Sequence, residues 1–259
     1  MAGPKLSRRA LLQGALASLG ILALPRAARA FGDEGAFHPR PLLTGSSRLE
    51  GVRSSAPARW ARELRNRTSA PSRLDPAPVR ADDPALLAEP FVYWLGDREV
   101  GELSVAEVAG LRRFFSQGGV MFVDDGNPES GAFLRSVKRE LSRVLPDAAP
   151  LPLGQDHVIF HSFYLLRRPV GRVEGPSHLE GIVRGGQAQV VLSSHDVAGA
   201  LARGPSGIWS VPVSPRGEEQ REHAIRLAVN IAMYVLCSTY KDDQVHAPSL
   251  MRRRALDNP

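Results

Sequence analysis

Two runs of consecutive apolar residues, FVYWL at 91–95 and VMFV at 120–123, flank a segment whose apolar positions recur every three to four residues. Neither run alternates with polar residues, so each reads as a strand buried on both faces. Between them, Ser104 and Glu107 make a Ser-x-x-Glu capping box, followed by Val105, Val108, Leu111, Phe114 and Phe115 on one helical face. Gly118-Gly119 ends this helix where a left-handed residue is wanted, and the chain turns directly into the second run. Strand, capped amphipathic helix, strand is a βαβ unit of a parallel sheet. Both strands end in carboxylates, at Asp97 and at Asp124-Asp125.

The remaining pattern extends this α/β plan. Residues 37–43 read as a first strand, interrupted by prolines and so placed at an edge. Residues 58–67 read as a helix with Trp60 and Leu64 on one face, and residues 74–79 as a further short strand. Asp82 or Asp83 caps a helical turn over 84–88 that opens on a proline. A helix follows at 131–145, with Phe133, Leu134, Val137, Leu141 and Val144 on its apolar side, and Pro146 stops it. Residues 150–176 are loop-rich, with HVIFHSFYLL as an apolar island. Strands at 179–183 and 189–192 join at Gly185-Gly186, and the second ends in Ser193-Ser194-His195-Asp196. The last helix runs from 218 to about 240, and residues 241–259 read as a disordered tail.

The first 30 residues read as a leader rather than as part of the fold. LSRRALLQ, with Arg8-Arg9, resembles a twin-arginine export motif; a short apolar segment follows, then a small-residue cleavage site at Ala28-Arg29-Ala30. The apolar segment, 15–24, is short for a bilayer, which argues for cleavage over an anchor and against a stable membrane span afterwards. Export by this route implies a periplasmic location. The leader also changes the charge picture. Of 33 Lys and Arg, five lie in it, with no Asp or Glu, so the rest of the chain carries 28 basic against 27 acidic residues. The formal charge of +6 therefore gives no reason to expect nucleic acid as a partner. A single cysteine, Cys237, excludes an intramolecular disulfide, and its place on an apolar helix predicts a buried, inert thiol. The roughly 230 residues after the leader suit one α/β domain, 31–240.

The segment PFVYWLGDREVGELSVAEVAGLRRFFSQGGVMFVDD resembles the centre of the bacterial domain-of-unknown-function family 4159. LRSVKRELSRVLPD, DHVIFHSFY, GRVEGPSHLEGI and HAIRLAVNIAMYVL extend the likeness over about 36–238. The resemblance implies a flavodoxin-like, three-layer αβα sandwich with a mostly parallel central sheet, related to class I glutamine amidotransferases. It implies no activity. The amidotransferase nucleophile is a cysteine at a strand-to-helix elbow; here the corresponding strand end carries Asp124-Asp125-Gly126. Glutaminase chemistry is not carried over.

Candidate chemistry concentrates at strand ends, where open α/β sheets bind ligands. Asp97, Asp124, Asp125, His195 and Asp196 end three expected strands; if these are parallel neighbours, the groups share one edge. Carboxylates with an imidazole suit a divalent cation or general acid/base work, and two carboxylates near His195 would raise its pKa. The competing reading is that strand-end aspartates cap helices and close turns. His157 and His161 have the spacing of a helical metal pair, but no accompanying His-Glu-x-x-His pattern; packing is the alternative. Ser193-Ser194-His195-Asp196 holds triad residue types consecutively, which strand geometry points to opposite faces. No phosphate-binding glycine motif occurs, and the residues name no cofactor. Two functions fit: a non-catalytic binding domain whose partner is an envelope protein or a small polar ligand, or a metal-dependent or acid/base hydrolase using the strand-end Asp and His residues.

Overall fold

A computed structural model describes residues 35–256 except Ser46, with side chains described as far as Ser238. The expected leader, with Arg8, Arg9, Ala28 and Ala30, lies outside the described residues, which fall within one compact unit, Asp33–Pro259. Strand β1 (Arg40–Leu43) leads into helix α1 (Ala56–Arg67), then β2 (Val79–Arg80), a 3-10 turn (Pro84–Ala88) and β3 (Phe91–Gly96). Helix α2 (Val105–Ser116), β4 (Val120–Asp125) and α3 (Ala132–Val144) follow. Next come β5 (Leu151–Leu153), a 3-10 turn (Val158–His161), β6 (Leu179–Arg184), β7 (Gln187–Ser193), α4 (Val197–Leu201) and α5 (Gly217–Leu256).

The seven strands form one sheet in the order β2-β1-β3-β4-β7-β6-β5. Pairing is parallel from β2 through β7, and the hairpin partners β6 and β5 add antiparallel neighbours at the far side. Helices α1, α4 and α5 cover one face, packing on Phe91, Tyr93, Phe122 and Val191; α2 and α3 cover the other, on Val92, Trp94, Met121 and Val123. This is a flavodoxin-like three-layer sandwich. The alternation of inward positions explains why both central strands are apolar throughout: each face is buried under helices.

Local signals are satisfied where the pattern places them. Ser104 Oγ accepts from the Glu107 N–H, and Glu107 accepts from the Ser104 N–H. Gly118 has φ +84°, the left-handed turn between α2 and β4. Asp83 caps the 84–88 turn through the Ala85 N–H. Gly185 and Gly186 both have positive φ in the β6–β7 turn.

Five expectations need correction. Strand β1 is not an edge: β2, only two residues long, lies outside it. Pro41 is tolerated because β2 pairs only with Leu42 and Leu43, leaving no outer ladder at the proline. Strand β2 itself starts where the expected 74–79 strand ends, and β5 arises within the loop-rich stretch, held only by its pairing to β6. The last helix continues past its expected end near Tyr240 to Leu256. Cys237 is exposed rather than buried: it lies one turn beyond half-buried Met233, on the flank turning away from buried Val235.

Candidate functional site

The order β3-β4-β7 puts the three candidate strand ends side by side. Gly96 pairs with Asp125, and Asp124 with Ser193. Asp97, Asp124, Asp125, His195 and Asp196 therefore share one edge of the sheet. Adjacent residues of a strand face opposite layers, so Asp124 and Asp125 turn to different sides of that edge.

Asp124 follows Phe122 onto the α1/α4/α5 side and is fully buried. Its carboxylate accepts from the Tyr93 hydroxyl at 2.9 Å, the Val197 N–H at 3.0 Å and the Ala198 N–H at 2.7 Å. It thereby supplies acceptors to the first turn of α4. Burial first, then the neighbouring Asp196, push its pKa up to about 7.

Asp196 is the hub of the edge. It has φ +54°, and its Oδ1 accepts from the Gly199 N–H at 2.8 Å, capping α4. Arg53, from the loop between β1 and α1, donates Nε to Oδ1 at 2.7 Å and Nη2 to Oδ2 at 2.6 Å. Arg172 Nε adds a further ion pair on Oδ2. The Asp196 hydrogen bonds hold the Arg53 pKa above its ordinary value. Arg53 Nη2 also reaches the Gly126 carbonyl at 2.7 Å, so the guanidinium spans the ends of β4 and β7.

Asp125 follows Val123 toward the α2/α3 side and is also buried. Its Oδ1 accepts from the Asn127 N–H at 2.9 Å, closing the Asp-Gly-Asn turn. Oδ2 has no hydrogen-bond partner among the described residues. The carboxyl faces the start of α3, whose N-cap, Gly131, has no side chain to cap with. Burial raises the Asp125 pKa, opposed by backbone N–H groups of Asn127 and Leu134. Asp97 stands apart: it is half exposed and pairs with its neighbour Arg98 at 3.3 Å.

His195 is at the expected end of the sheet in a different environment. Its Nε2 lies 3.0 Å from the Pro176 carbonyl, which can only accept, so the proton sits on Nε2. Nδ1 faces the Ser193 Oγ at 3.5 Å. The 171–176 segment packs so closely that a Cβ at Gly171 would come 2.0 Å from the His195 carbonyl oxygen, and one at Gly175 3.0 Å from the ring. The expected rise in pKa is corrected to a fall, because burial dominates. The Asp196 carboxylate serves arginines and α4, so Ser193, His195 and Asp196 make no triad.

The histidine pair lies at the second 3-10 turn. His157 is the N-cap of the Val158–His161 3-10 turn, its Nδ1 accepting from the Ile159 N–H at 3.3 Å and its ring against Tyr234. A spacing of four does not align side chains on a helix of three residues per turn. Among the described residues no three His, Cys, Asp or Glu side chains gather to hold a metal. A cleft of about 350 Å³ opens elsewhere, beside the end of α3, between Leu141, Pro146, Ala148 and Ile182.

Sequence reasoning missed Arg53, Arg172 and Tyr93, which complete the edge. Arg172 lies in the GRVEGPSHLEGI segment, but nothing there marks it as a partner of Asp196, and Arg53 lies 143 positions from the carboxylate it grips.

The family model of a domain of unknown function, DUF4159, matches residues 42–236. The chain belongs to this family. No curated protein matches it. The matched range spans the DUF4159 sheet from β1 through β7 and the inward-facing part of α5. Among the described residues no helix of this DUF4159 chain is long and apolar enough to cross a membrane.

Proposed function

We propose that this DUF4159 chain is an exported, non-catalytic binding or interaction domain of a bacterial envelope system, built on an amidotransferase-like scaffold that lacks the nucleophilic cysteine. The observation that carries this reading is the Arg53–Asp196–Arg172 cluster over the strand ends. It occupies, with structural ion pairs, the edge where such a scaffold would hold reacting groups. Asp124 caps α4, and the His195 Nε2 proton is committed to a backbone carbonyl. The strand elbow carries Asp124-Asp125-Gly126, while the thiol lies on α5. Arg8-Arg9 and the Ala28-x-Ala30 pattern support export.

A second reading, a metal-dependent or acid/base hydrolase, draws on the unpartnered Oδ2 of Asp125. The two are separated by assaying the protein and its Asp125→Ala/His195→Ala double variant. The panel covers ester, amide, phosphoester and glycoside substrates, with and without divalent cations. Background rates in both proteins are expected. Turnover present in the parent and lost in a folded double variant would overturn the binding-domain reading.

A further inference from the structure

The outer surface of the α1/α4/α5 layer carries an arrangement that the strand-end network does not use. Trp209 lies in the loop between α4 and α5. Three guanidiniums surround its indole: Arg203 at 3.8 Å from the ring centroid, Arg221 at 4.2 Å and Arg59 at 5.6 Å. Arg203 and Trp209 face each other across a short antiparallel bridge, and the Arg203 N–H is tied to Ser55 Oγ at the start of α1. The cluster is thus fixed to the fold at two points.

Its charge is unbalanced. Arg221 pairs with Glu218, and Arg59 shares Glu63 with Arg67. Arg203 donates Nη1 to the Gly207 carbonyl and has no carboxylate partner among the described residues; nor does solvent-exposed Arg62. The Arg59 pKa is lowered by burial and by the nearby charges of Arg203 and Arg62. The Nε groups of Arg59 and Arg203 are buried without hydrogen-bond partners. Cation–π contact offsets part of this repulsion, and an anion supplied from outside would offset more. Guanidiniums match carboxylates in planar, bidentate geometry. Beside the cluster, Ile208 is 71 % exposed, an apolar contact next to the cationic one. Trp and Arg set around an exposed aliphatic side chain are the residue types that dominate protein–protein hot spots.

We infer that Arg59, Arg62, Arg203 and Trp209, with Ile208, form the docking surface for an acidic, leucine-containing segment of a partner protein. This rests on the binding-domain reading and gives that reading a surface and a partner chemistry. It places recognition outside the helical layer, away from the strand-end aspartates.

Trp60 and Trp94 are buried in the core, so a change in tryptophan emission on titration reports Trp209. The probes are a short peptide of glutamates interspersed with leucine, inorganic phosphate, and the lysine counterpart of the peptide. The acidic peptide should bind saturably, shift the emission and weaken with added salt. Arg203→Gln and Arg62→Gln should each weaken binding about tenfold, a loss of about 1.4 kcal/mol, and Arg113→Gln, on the opposite layer, should not. Arg62 is exposed, so its replacement tests the charge without disturbing packing. No saturable binding at low salt, parent-like affinity in both cluster variants, or binding of phosphate but not peptide would each overturn the inference. Hydrolytic turnover would instead remove the binding-domain reading and leave the measured peptide affinity as it stands.

Discussion

Arg53 grips Asp196 through two parallel hydrogen bonds of 2.7 and 2.6 Å, joining the loop after β1 to the end of β7 across the whole carboxyl edge. Asp196 is fully buried and the Arg53 side chain is 14 % exposed. Removing Arg53 leaves the buried Asp196 carboxylate with Arg172 as its remaining cationic partner. Arg53→Met should therefore destabilise the fold by about 2 kcal/mol, the cost of losing two charge-assisted hydrogen bonds rather than the whole counter-charge. Urea unfolding of the two proteins at neutral pH measures it; a change within the error of the midpoint would make this ion pair energetically idle.

Asp124 gives the pH dependence a sign. Its pKa rises from an ordinary 3.8 to about 7 in the folded protein, so the folded state binds the proton more tightly. The stabilisation from this group is complete below about pH 4 and is lost as pH rises through about 7. Urea midpoints measured across that window should fall in the parent relative to Asp124→Asn, which has no proton to lose. A parent curve that rises relative to the variant would contradict the assignment.

The two glycines after α2 should fail for different reasons. Gly118 has φ +84° with backbone strain as the cost of any Cβ, so Gly118→Ala should lose about 1–2 kcal/mol. A Cβ at Gly119 would stand 2.6 Å from the Phe114 ring. Trimming that ring in Phe114→Leu should partly rescue Gly119→Ala and leave the Gly118→Ala deficit unchanged. A double-mutant cycle by denaturation reads the coupling.

Cys237 is exposed, so a thiol reagent should label the native protein to completion at a rate near that of a free peptide thiol. Labelling that waits for unfolding would place the thiol back in the core.

Export is tested on the precursor. Arg8→Lys with Arg9→Lys should hold the full-length chain in the cytoplasm, seen by fractionation. Unchanged periplasmic recovery would remove the twin-arginine proposal.

The βαβ unit, the Ser104–Glu107 box, the left-handed Gly118 and the Gly185-Gly186 hairpin were all legible in the sequence, because each depends on residues a few positions apart. That β3 and β4 are covered on both faces was legible for a related reason, since neither alternates with polar residues, but the order that sets β7 beside them came only with the tertiary structure. The same local logic misplaced β1 at the edge on account of its prolines, because the short β2 pairs only with Leu42 and Leu43 beyond them. What the strand-end residues do was decided by tertiary contacts alone. Asp196 needed Arg53 from far upstream, and His195 needed the 171–176 loop, which replaced the expected carboxylate neighbours with a carbonyl and turned the direction of its pKa. Asp124 and Asp125 are adjacent in sequence yet face opposite layers. A charged side chain takes its role from whatever the folded chain packs against it, and that partner can lie anywhere along the sequence.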